Sequence, residues 1–150
     1  MKSISLRYVL SALVVLLAAK SVAAGDPSKD LGGTWKVVGA KVNGKPVEDR
    51  QISGSKLTFS GDMLLMEPGD GSQRERHKIK LEAGSDPPAY YSERVEPANR
   101  PQTGWTIFEV KEDRLQIAFF DALKGRPKSF EPQPKLLMLE LKKVPAAPAP

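Results

Sequence analysis

Leu31-Gly32-Gly33-Thr34-Trp35-Lys36-Val37-Val38 decides the fold. A tryptophan buries a large apolar body and needs a partner for its indole N–H. The two glycines ahead of it let the chain turn tightly and let other backbone come close. The stretch therefore reads as the start of the first strand of a small β-barrel, with Trp35 as the plug at the barrel floor.

Downstream, short apolar and alternating runs are separated by turn residues. The predicted strands cover residues 35–42, 56–60, 63–67, 74–81, 89–95, 105–110, 114–120 and 135–142. In the second, Leu57 and Phe59 alternate with Lys56, Thr58 and Ser60. In the fourth, Arg74, Arg76, Lys78 and Lys80 fall on one face, and Glu75, His77, Ile79 and Leu81 on the other. Asn43-Gly44 is a tight-turn signal, but Pro46 and the charges after it suggest a longer excursion. There is no long helical pattern and no internal repeat. Eight short strands in sequence predict an all-β, small up-and-down antiparallel barrel. A β-sandwich is the alternative.

Gly33-Thr34-Trp35 resembles the Gly-x-Trp signature at the first strand of lipocalin-like barrels. A wider set of pieces is similar to the small secreted lipocalin-like domains of planctomycete-type bacteria. These are Leu31 to Val38, Val42-Asn43-Gly44-Lys45-Pro46, Asp86-Pro87, Ile107-Phe108-Glu109-Val110, Arg126-Pro127-Lys128-Ser129-Phe130 and Leu139-Glu140-Leu141-Lys142-Lys143. They cover residues 31–144. The resemblance implies the barrel fold and export, and no established activity. True lipocalins place an arginine over the floor tryptophan. Here Lys142 and Lys143 stand nearest that position, so Lys143 is expected over Trp35, without the planar guanidinium.

Outside that domain the two ends read differently. Lys2 and Arg7 precede an apolar run from Tyr8 to Ala19, and Val22-Ala23-Ala24 follows. That is the pattern of a signal peptide over residues 1–24, cleaved after Ala24. The run is shorter than the ~20 residues a spanning helix needs, so no stable membrane anchor is expected after processing. Residues 25–30 read as a polar leader with one helical turn near Ser28. The Pro/Ala ending, 145–150, is expected to be disordered. These features predict a secreted, periplasmic or cell-envelope protein.

The formal net charge is +5. Removing residues 1–24 takes away Lys2, Arg7 and Lys20 and no acid, which leaves +2. A dedicated nucleic-acid binder would carry a larger, patterned positive charge. No cysteine is present, which excludes disulfides, thiolate nucleophiles and thiolate metal sites. Residues 39–46 come close to a P-loop, but Pro46 stands where Ser or Thr must reach the metal, and no helix follows. No Gly-x-Ser-x-Gly elbow occurs. One histidine does not make a typical zinc site. No enzyme, no metal and no cofactor is expected.

Loop lengths orient the barrel. The short turns at 61–62 and 111–113 fall at the floor. The segments 43–53, 68–73, 96–104 and 121–134 fall at the other end, the expected mouth. His77 faces inward by alternation, a few residues below that rim. It reads either as a hydrogen-bonded core histidine or as a polar anchor for a ligand. One of Tyr90 and Tyr91 must face inward too, and Tyr90 is taken as the candidate. Arg126, with Lys124 and Lys128, is expected on the rim, where it either orders its loop or accepts an anion. Phe130 is expected to pin that loop to the barrel. Trp105 either covers core or lines an opening. The stripe Arg74, Arg76, Lys78 and Lys80 reads as a solvated face or as a contact for an anionic polymer. The function expected is non-enzymatic binding of a small apolar or amphiphilic ligand by His77, Tyr90 and Arg126. The alternative is a protein–protein or cell-surface interaction module.

Overall fold

The structure is a computed structural model that describes residues 26–121 and 124–150. The expected signal peptide lies outside the described residues. Among the described residues two short helices, α1 (Pro27–Leu31) and α2 (Asp49–Ile52), accompany nine strands. The strands are β1 (Gly33–Val42), β2 (Lys45–Pro46), β3 (Lys56–Ser60), β4 (Met63–Glu67), β5 (Glu75–Glu82), β6 (Ala89–Glu96), β7 (Thr103–Lys111), β8 (Arg114–Asp121) and β9 (Leu137–Lys143). Every pairing is antiparallel: β1 pairs with β2 and β3, β3 to β9 pair in chain order, and β9 pairs back onto β1. The sheet therefore closes into an eight-stranded up-and-down barrel of lipocalin-like form, not a sandwich. Closure removes the free edges that an open sheet would expose.

β2 is the extra strand. The Asn43-Gly44 turn signal does make a hairpin, with Val42 opposite Lys45 and Lys41 opposite Pro46. Asn43 (φ 54) and Gly44 (φ 76) both take the left-handed conformation that a two-residue hairpin turn requires. The longer excursion follows it. α2 sits in that connection, and Val47 and Ile52 pack onto the core from it.

The first strand breaks its own alternation. Trp35 and Val37 point inward, but Gly39 pairs with Glu140 after a register shift at Val38. Val38, the extra residue, is left exposed, and Ala40 returns to the core. Without this bulge Lys41 would point into the barrel.

At the floor, Trp35 is fully buried and its Nε1 donates to the Leu31 carbonyl at 2.8 Å. α1 brings that carbonyl into place. The Asp26 side chain accepts from the Ser28 backbone N–H at 3.0 Å and caps the helix. Inside the barrel, Phe59, Tyr90 and Phe108 form a row of rings, with centroids 6.0 and 5.9 Å apart. Each such buried ring is worth roughly 1.5–3 kcal/mol over leaving it in water. The row fills the lumen between β3 and β7, so the lower half of the barrel is a packed core.

A second core lies outside the barrel. Ala89, Ile107, Ala118 and Met138 share the outer face of β6–β9, and Leu136 and Phe130 cover them. The segment 124–136 therefore folds down over the outer wall, where the sequence reading placed it as a mouth loop. Pro127, Phe130 and Leu136 are apolar anchors, and the outer face offers a matching apolar patch. The strand boundaries differ elsewhere only at their ends. Lys135 takes φ 65 in a turn, so β9 starts at Leu137.

Candidate functional site

The upper half of the barrel keeps a cavity of about 100 Å³. Leu57, Leu64, Met66, Ile117, Leu137 and Leu139 make its apolar wall, and the rings of Tyr90 and Phe119 close the sides. Its polar groups are Glu75, His77, Ser92, Gln102 and Thr106. Larger depressions, such as one of about 390 Å³ beside Lys80, Tyr91 and Trp105, lie on the outer wall.

The polar groups are joined. His77 is 6% exposed, and its Nε2 stands 3.2 Å from Glu75 Oε2. The same carboxylate oxygen accepts from Arg94 Nε at 3.1 Å and Nη2 at 2.8 Å. Arg94 also donates to the Arg100 carbonyl at 2.9 Å and to the Gln102 side chain. Arg94 thus ties β5, β6 and the 97–102 connection together above the cavity. Arg94 pairs directly with His77, and a bulge at Val95 sets Glu96 opposite Arg76 instead of Glu75.

Tyr90 faces inward and Tyr91 outward. Tyr90 is 1% exposed, and burial pushes its hydroxyl up to about 12, against a smaller opposing pull from the Thr106 hydrogen bond. It stays neutral at any ordinary pH. Ser92 Oγ bonds the Gly104 carbonyl at 3.5 Å, a long contact.

Phe119 depends on its neighbour. A Cβ built on Gly104 would stand 2.2 Å from the Phe119 ring and 2.4 Å from the Phe120 carbonyl oxygen. The ring lies on the glycine backbone, as aromatic rings do over strand glycines. That position makes it a wall of the cavity.

No family model, curated protein or solved structure matches the chain.

Of the expected ligand-binding residues, the structure brings His77 and Tyr90 to one cavity and leaves Arg126 out of it. Arg126 pairs with Glu82 on the outer wall, through Nη1. The reason is the path of residues 124–136, which carries Arg126 past the rim. Trp105 also sits outside, with its ring 5.3 Å from that of Tyr91. Phe130 holds the loop, and Lys143 stands over Trp35. The sequence reading passed over Arg94 and Gln102. Arg94 follows from the parity of Tyr90, since 90, 92 and 94 share a face. Gln102 has no such signal, because it precedes its strand. Among the described residues no group of three or more His, Asp or Glu is placed to hold a metal ion.

Proposed function

We propose that this chain is an exported, non-enzymatic binding protein whose cavity above the Phe59–Tyr90–Phe108 row takes one compact, mostly apolar and uncharged molecule. The observation that carries this reading is an apolar cavity overhung by a self-neutralised Glu75–Arg94 pair. Concave apolar sites with a few oriented polar groups are the usual form of small-molecule sites. A fatty chain running down the barrel does not suit the filled lower half. An anionic head does not suit it either, because Arg94 is already paired and Arg126 is elsewhere.

The similarity to planctomycete-type secreted domains belongs to the same proposal, as does cleavage after Ala24. N-terminal sequencing of exported protein should then begin at Gly25, give or take a residue.

Methyl-labelled protein titrated with benzene tests the binding site. Signals of Leu57, Leu64, Met66 and Leu139 should move, and those of Leu31 and Leu136 should not. Movement confined to the outer wall would contradict the reading. It would favour the second one, an interaction module, which draws on the Tyr91–Trp105 pair beside Lys80 in an outer depression.

A further inference from the structure

One ring nitrogen of His77 is left with a defined chemistry. Its Nε2 faces a carboxylate oxygen that Arg94 already holds from the other side. A carboxylate accepts hydrogen bonds and donates none, so Nε2 must carry the ring proton. Arg94 balances the charge on Glu75. In the neutral form of the ring one nitrogen carries the proton and the other accepts. Nδ1 then offers a bare lone pair.

Among the described residues no protein donor reaches Nδ1. Yet no sealed-off side-chain nitrogen or oxygen lacks a partner there. Nδ1 therefore keeps some accessible surface, and the His77 side chain lines the cavity. That space measures about 100 Å³, with Tyr90, Ile117, Phe119 and Leu139 around it. An apolar cavity of about 150 Å³ holds benzene; this space is smaller, so the occupant has one ring at most.

We infer that the cavity takes a compact alcohol or phenol, no larger than one six-membered ring, whose O–H donates to Nδ1 of His77. This rests on the cavity reading above. A carboxylate ligand would set its charge against the lone pair, with Glu75 behind it. An ether or aldehyde of the same shape can only accept, and would set lone pair against lone pair.

The full chain is titrated with phenol, benzene and anisole, with the cavity methyl groups and the ring nitrogens of the single histidine followed by NMR. Phenol should bind about three- to tenfold more tightly than benzene, the worth of one neutral hydrogen bond. It should move the Nδ1 signal, and benzene should not. In His77→Phe the preference for phenol should vanish while benzene still binds. If that variant does not fold, the nitrogen signals of the unaltered protein decide. Benzene or anisole binding as tightly as phenol would overturn the inference and leave the cavity reading standing. So would a shift at Nε2 with Nδ1 unmoved. If none of the three moves the cavity methyls, the inference and the cavity reading fall together.

Discussion

Lys143 lies over the indole of Trp35, with Nζ 4.4 Å from the ring centroid and a hydrogen bond onward to the Gly32 carbonyl. The last strand is thus fastened to the first turn of the barrel. Gly33 leaves room for this, since a Cβ there would stand 3.2 Å from Lys143 Cε, and its φ of +106° suits glycine. Trp35→Ala should cost about 3–5 kcal/mol, the usual loss for a buried ring. Lys143→Met should cost about 1–3 kcal/mol, for a charged hydrogen bond and a cation–π contact. Lys143→Arg should keep most of that. Denaturant melts measure all three. A loss below about 1 kcal/mol in Trp35→Ala would mean that the floor is not organised around this ring.

Gly104→Ala forces the Phe119 ring and the Phe120 carbonyl to move. Overpacking of this kind should cost about 1–3 kcal/mol. It should also change ligand affinity, because the displaced ring has the cavity to move into. Unchanged stability with unchanged benzene affinity would mean that the ring does not rest on the glycine.

Arg94→Met leaves the Glu75 carboxylate without its guanidinium partner above an apolar space. Glu75 keeps some solvent contact, with 28% of its side chain exposed, so the expected loss is about 1–3 kcal/mol rather than the larger cost of a sealed charge. Adding Glu75→Gln should restore part of it. A double-mutant cycle measures the coupling, and strict additivity would show that the pair is not one unit.

Tyr90 gives a pH signature. Its hydroxyl titrates near 12 in the folded chain and near 10 when unfolded. The folded state holds the proton more tightly, so stability is complete below pH 10 and falls as pH rises from 10 toward 12. The fall attributable to this group should be about 2 kcal/mol. Urea melts at pH 9.5 and 11.5 of the wild type and of Tyr90→Phe isolate it. Equal losses in both proteins would mean that Tyr90 is not the buried group.

The barrel was largely legible because strand alternation states which side faces the core. Leu57 and Phe59 against Lys56 and Thr58 fix β3 at both ends. His77, Ile79 and Leu81 fix the inner face of β5. What alternation cannot state is where it fails. Nothing in Val37-Val38-Gly39 marks Val38 as the bulged residue, and that residue sets the parity of the rest of β1. Tyr90 and Tyr91 were ambiguous because both faces of β6 offer an aromatic partner, Phe108 inside and Trp105 outside. The 124–136 segment was misplaced for a related reason. Pro127 and Phe130 are apolar anchors whichever surface they meet, and the outer apolar patch under them comes from four strands that only the fold assembles. Half of the candidate site was visible in His77 and Tyr90. The Glu75–Arg94 pair needed the register between β5 and β6, which sequence does not announce.

A crystal structure under xenon pressure tests the central claim most directly. Xenon enters empty apolar cavities. A xenon site should appear inside the barrel, above the Tyr90 ring and beside Leu139 and Ile117. A barrel whose upper half is closed by Met66 and Phe119, with no xenon inside it, would contradict the account.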